Sequence, residues 1–189
     1  SGINAVMFYS TKIFEQLEGF SPTAGTALVG VVNMVATLFS SVLLGRFGRK
    51  FLLWTLSFVM AACLVGLGIS YQLKVSVLEI VLILLYVTFF EFSLGPIVWI
   101  YMSEVMTEKG VSLGTLANWI FTIIMALLTP TLLDSIDGYL FVGFGGLCLL
   151  CAFFVLVYVK ETKGLSNQEV ANLYVKQKNY LDLKDQKAQ

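Results

Sequence analysis

Histidine is absent from this chain, and charged residues make up only 13% of it. The first absence removes the commonest general base and the commonest metal ligand from any catalytic reading. The second is more decisive. A soluble domain carries roughly a quarter charged residues, because a water-exposed surface needs them and a lipid-exposed one does not. Lysine plus arginine balance aspartate plus glutamate at 12 each, so no basic excess marks a nucleic acid as partner. Cysteine is scarce too. Cys63, Cys148 and Cys151 lie in apolar runs, at a spacing that fits neither a zinc site nor a disulfide framework. No cofactor, metal or nucleophile–base pair is expected, and the chain does not read as an enzyme.

What the sequence does hold is apolar length. Hydrophobic residues make up 58% of the chain, and the mean hydropathy is +0.85. A helix that crosses the hydrocarbon core needs roughly 20 mostly apolar residues. Six segments fit that description to varying degrees, near 1–14, 23–44, 51–70, 75–102, 113–133 and 139–159. They lack strict period-2 alternation and are rich in Ala, Leu, Met and small residues, which favours helices over a barrel. The expected fold class is therefore all-α and polytopic. A membrane bundle occupies residues 1–160, and a polar tail of 161–189 holds a short helix near 167–176. Ser1 falls inside an already patterned segment, so a preceding part of the protein is expected.

Orientation follows from the loops, because positively charged residues collect on the cytoplasmic side. One set of alternate loops and the tail carry Arg46, Arg49, Lys50, Lys109, Lys160, Lys163, Lys176, Lys178, Lys184 and Lys187, while the other side has only Lys12 and Lys74. The C-terminus and the Gly45–Lys50 turn are thus expected in the cytoplasm, in a plasma or organelle membrane.

Polar groups inside spans mark sites, since a central charge costs about 2.5–3.5 kcal/mol on insertion scales. Glu91 stands between two apolar runs, and Asn4, Asn33 and Asn118 are amides at depth. Gly95–Pro96 interrupts the fourth span between Glu91 and Trp99, and transporters use such breaks where a helix lines a substrate cavity. Trp99 and Trp119 lie close to these polar groups. An indole offers a flat apolar platform to the C–H face of a pyranose, while carboxylate and amide groups take its hydroxyls. Trp54, near the end of its span, reads as an interface anchor.

With these residues in view, the chain strongly resembles the second half of the sugar porter family of the major facilitator superfamily. Ser1-Gly2-Ile3-Asn4-Ala5-Val6 resembles the family's seventh helix. Gly45-Arg46-Phe47-Gly48-Arg49-Lys50 resembles its cytoplasmic turn. Phe90-Glu91 through Gly95-Pro96-Ile97-Val98-Trp99, followed by Ser103-Glu104, resembles the tenth helix. Lys160-Glu161-Thr162-Lys163-Gly164 resembles the motif after the twelfth. The resemblance implies a six-helix half of a carrier that moves a hexose by alternating access, partnered by lipid and by a missing N-terminal six-helix half. It implies sugar contacts at Asn4, Asn33, Glu91, Trp99, Asn118 and Trp119, gating elements at Phe8, Tyr9, Gly95 and Pro96, and a cytoplasmic charge network of Arg46, Arg49, Glu104 and Glu161. Gly45, Val98 and Lys160 depart from the usual residues, and the loop after Glu104 is short for the family. A non-transporting sugar sensor of the same fold, or a carrier of another small polyol, is the alternative reading.

Overall fold

The computed structural model describes residues 2–16 and 21–174, with the side chains of Phe8, residues 11–16 and Pro22 outside that description. Its helices are α1 (Ile3–Gln16), α2 (Pro22–Arg46), α3 (Arg49–Leu73), α4 (Ser76–Glu91), α5 (Leu94–Val105), α6 (Glu108–Ile136) and α7 (Tyr139–Tyr158). Residues 167–174 form a further helix in the tail. Five stretches among the described residues are long and apolar enough to cross a membrane: Thr23–Arg46, Arg49–Leu73, Ser76–Val105, Glu108–Ile136 and Tyr139–Tyr158. α1, at 14 residues, is shorter.

Helix ends run past the apolar segments wherever a cap is available, because hydropathy marks lipid depth rather than hydrogen bonding. The fifth span begins at Glu108 instead of near 113, where the Thr107 hydroxyl accepts from the Gly110 N–H at 3.4 Å. The tail helix starts with a reciprocal cap. Ser166 N–H and its hydroxyl each donate to Glu169 at 2.8 Å, and those bonds hold the Glu169 carboxyl below its ordinary range. The part of the expected tail helix beyond residue 174 lies outside the described residues.

The fourth span is two helices, and its break falls at Phe92–Ser93 rather than at Gly95–Pro96. A proline ring clashes with the carbonyl four residues before it, here that of Phe92, so the disruption lands one turn upstream. Pro96 itself sits in the first turn of α5, where its missing N–H needs no partner. Ser93 adopts φ −133° and ψ −100°, and its buried hydroxyl has no partner among the described residues.

The core is centred on α3, α4 and α7. Met60, Leu64, Leu67, Tyr86 and Phe141 are fully buried there, and a smaller cluster of Leu52, Leu53, Ile97 and Val155 fills the end near Arg49. α3 and α7 approach through small residues, as helices without a hydrophobic drive to associate must do. A Cβ on Gly68 would lie 2.8 Å from the Gly138 carbonyl, and one on Gly145 would lie 3.2 Å from that of Ala61. α2 and α6, by contrast, leave much of their apolar length exposed, including Leu38, Phe39, Phe121 and Leu127.

Gly68→Ala should therefore force α3 and α7 apart. Overpacking of this kind costs about 1–3 kcal/mol. A thermal melt of the detergent-solubilised protein should show a lower midpoint, and an unchanged midpoint would mean the helices slide to absorb the methyl.

Candidate functional site

A cavity of about 790 Å³ lies beside the broken span, between α1, α4, α5 and α6. Its polar wall includes Asn4 of α1, Glu91 at the last turn of α4, Thr37 of α2, and Asn118 and Thr122 of α6. Gly95, Pro96, Trp99 and Trp119 line it as well. The break matters here because it delivers Glu91 and Trp99 from two separate helices to one space, instead of from two turns of one continuous helix. Gly95 sits where a side chain would be crowded. A Cβ there would meet the Phe90 carbonyl at 3.2 Å and Glu91 Oε2 at 3.3 Å.

Glu91 is the electrostatic centre of this wall. Asn33 Nδ2 donates to its Oε1 at 3.0 Å, and the Thr37 hydroxyl lies 2.9 Å from its Oε2. Both donors come from α2, one helical turn apart, so the carboxylate ties α4 to α2 at the level of the break. Asn33 is not among the described residues that line the cavity, so it reaches the site through Glu91. Asn118 and Trp119 line the cavity from an exposed helix, Trp119 at 58% exposure, so the α6 side stands open.

The residues expected at the gate divide. Gly95 and Pro96 lie at the cavity, while the side chain of Phe8 is outside the described residues. Tyr9 is buried in the core, with its ring 4.7 Å from that of Phe141 and its hydroxyl donating to Glu79 Oε2 at 3.0 Å. Asn4 and Tyr9 are five positions apart, a rotation of about 140° on a helix, so they face different neighbours. Glu79, itself only 5% exposed, is the partner of Tyr9 that gave no sequence signal beyond being a carboxyl in a span.

At the opposite end, three of the four expected charges assemble by their side chains. Arg49 pairs with Glu104 at 3.0 Å, joining α3 to the end of α5, and Thr162 donates to the other Glu104 oxygen at 2.6 Å. Glu161 caps α3 from a distant part of the chain. Its carboxylate accepts from the N–H groups of Arg49 at 2.8 Å and Lys50 at 3.0 Å, and from those of Thr162 and Lys163. An anion here satisfies orphan donors and meets the positive end of the helix dipole. Gly48 makes room for it, since a Cβ would lie 2.1 Å from Glu161 Oε2. Arg46 is exposed and joins through its carbonyl, which accepts from Lys163 Nζ at 2.8 Å.

Lys160 stands where the family that the sequence resembles usually has a proline, and its bonds show what the lysine supplies. Its N–H donates to the hydroxyls of Tyr101 and Tyr174, at 3.2 and 3.3 Å, and its Nζ donates to the Leu173 carbonyl at 2.9 Å. Proline could make none of these bonds. They fasten the tail helix to α5.

Apolar spans, one helix broken at a carboxylate-lined cavity, and a charged clasp at the helix ends define a polytopic helical membrane bundle. Solved structures agree. The chain matches the proton:xylose symporter XylE bound to 6-bromo-6-deoxy-D-glucose with a TM-score of 0.79 at 28% identity, covering 91% of this chain and 39% of that one. It matches the inward-open xylose transporter XylE from E. coli with a TM-score of 0.74 at 25% identity, covering 89% and 42%. The family model described as Sugar (and other) transporter matches residues 1–174, and the chain belongs to that family. Relatives include the sugar transporter ERD6-like 6 of Arabidopsis thaliana, 35% identical over 92% of this chain and 39% of that protein. The facilitated trehalose transporter Tret1 of Anopheles gambiae is 33% identical over 90% of this chain and 23% of its own length. The chain thus spans about two fifths or less of these relatives.

Replacing Glu161 with glutamine should weaken the clasp, because one acceptor oxygen becomes a donor facing N–H groups. The expected cost is about 1–3 kcal/mol. A lowered melting midpoint relative to the unaltered protein is the readout, and no change would mean that water replaces the lost acceptor.

Proposed function

We propose that this chain forms one wall of a sugar pathway in a carrier that works by alternating access. The observation that carries the reading is the cavity at the break of α4 and α5, where a carboxylate, two amides and two indoles converge. That combination suits a pyranose, whose hydroxyls take polar partners while its C–H faces pack on indole. Asn4, Glu91, Asn118, Trp99 and Trp119 are the contacts, and Asn33 acts through Glu91. Relatives named for trehalose and xylose support a sugar as cargo. The exposed apolar faces of α2 and α6 and the open α6 side of the cavity are where a second six-helix half docks and completes the path. Gly95 and Pro96 let α5 swing against α4. Tyr9 steadies α1 through Glu79. The clasp of Arg49, Glu104 and Glu161 holds the inner ends together while the carrier faces out, with Arg46 at its rim.

Two measurements test this reading. In the whole protein, Glu91→Ala leaves sugar hydroxyls or α2 donors unpaired, at about 1–3 kcal/mol, and Trp99→Ala removes a platform worth about 0.5–1.5 kcal/mol. At normal surface expression, uptake of D-glucose, trehalose or D-xylose should fall roughly fivefold or more for Glu91→Ala and roughly two- to tenfold for Trp99→Ala. Trp54→Ala serves as control, since Trp54 packs among Phe51 and Phe58 away from the cavity. Uptake at the unaltered rate in both variants would remove α4 and α5 from the path.

The basic end of the bundle faces the cytoplasm in this reading, and so does the tail. An impermeant thiol reagent applied to intact cells should label Gln72→Cys and spare Ser166→Cys. The reverse pattern would invert the orientation.

A further inference from the structure

Thr37 carried no signal of its own in the sequence, yet it is the α2 side chain that stands in the cavity wall beside Glu91. Its hydroxyl oxygen lies 2.9 Å from Glu91 Oε2 and equally 2.9 Å from the Asn33 carbonyl, one turn back on α2. A hydroxyl has one proton to donate, so at any moment it serves only one of these two acceptors. The Asn33 carbonyl is the ordinary local acceptor for a helical threonine. Glu91 Oε2 is the one that gains more, since a carboxylate oxygen is the stronger acceptor and this one has no other donor among the described residues. Asn33 Nδ2 is already committed to Oε1.

We propose that Thr37 is a specificity-determining residue of the sugar site, acting with Glu91 as a pair of acceptors for two adjacent hydroxyls of a pyranose. The inference rests on the sugar reading given above. In the empty site Thr37 donates to Glu91 and keeps the carboxylate satisfied. When a sugar arrives, one of its hydroxyls donates to Glu91 Oε2 and takes over that role. The Thr37 proton then turns to the Asn33 carbonyl, which leaves its oxygen free to accept from the neighbouring sugar hydroxyl. The 2.9 Å separation of the two acceptor oxygens is close to that of neighbouring gauche hydroxyls on a sugar ring, so both bonds form in parallel. The exchange keeps Glu91 Oε2 paired at every stage, and an unpaired carboxylate oxygen is what makes binding costly. A methyl in place of the hydroxyl would break the exchange on both sides.

The test uses the whole protein, with binding of D-glucose and its monodeoxy analogues read from tryptophan fluorescence, since Trp99 and Trp119 line the same cavity. Thr37→Val keeps the shape of the side chain and should weaken D-glucose binding about five- to tenfold. It should leave unchanged the affinity for the one analogue that lacks the hydroxyl received by Thr37. Thr37→Ser should restore both affinity and the discrimination among analogues. Equal losses for every analogue would show that Thr37 only holds α2 to α4, and an unchanged D-glucose affinity would show that it does not act at the site. Either result overturns this inference while leaving the sugar reading intact. If the unaltered protein binds none of D-glucose, trehalose and D-xylose, the sugar reading falls, and this one with it.

Discussion

A carboxylate at the depth of a hydrocarbon core has to be met by donors that the protein itself supplies, and at Glu91 this requirement organises much of the bundle. α4 ends at Glu91 because the ring of Pro96 disturbs the turn before it, and α2 answers with Asn33 and Thr37. The tie holds two things at once: the end of one helix and the flank of another. It also leaves a polar wall facing a cavity, since Gly95 keeps the space beside the carboxylate open. Removing the proline would rejoin α4 and α5 and turn Glu91 along a continuous helix. The cavity is thus a by-product of where the chain cannot stay helical.

The far end of the molecule solves the same problem differently. There the unsatisfied groups are the first N–H groups of α3, and Glu161 reaches them from beyond α7. Because that carboxylate is some 110 residues away in sequence, its bonds to Arg49 and Lys50 close the bundle on itself. Arg49 and Glu104 extend the closure to α5, and Lys160 extends it to the tail helix. Arg49 and Glu104 remain partly exposed. An exposed ion pair contributes little by itself. The backbone capping carries more of the stability here than the Arg49–Glu104 pair.

Between the two ends, small residues rather than large ones fix the spacing of helices. Gly68 against Gly138, and Gly145 against Ala61, let α3 and α7 come close enough for their backbones to meet. The fully buried Tyr86 and Phe141 fill what remains. Helices α2 and α6 take little part in this core, which fits their place at the edge of the described bundle.

Much of this was legible from residues alone. Lack of charge and the length of apolar runs required membrane spans, because no other arrangement satisfies a backbone in lipid. Glu91, Trp99, Asn4, Asn118 and Trp119 stood out as polar or amphipathic groups at depth, and they line one cavity. Arg49, Glu104 and Glu161 were expected together only through the family resemblance, and they meet at one end. Tyr9, expected at a gate, packs on Phe141 and donates to Glu79, and which neighbours its face of α1 meets is set by helices distant in sequence. Thr37 passed unnoticed, though it follows Asn33 by one turn, since a threonine in a span is unremarkable until its partner is known. What the sequence determined by itself was the solvent each segment requires, a property that hydrophobicity sets residue by residue. Only the tertiary structure decided which polar groups answer one another, since a hydrogen bond depends on positions that distant parts of the chain reach together.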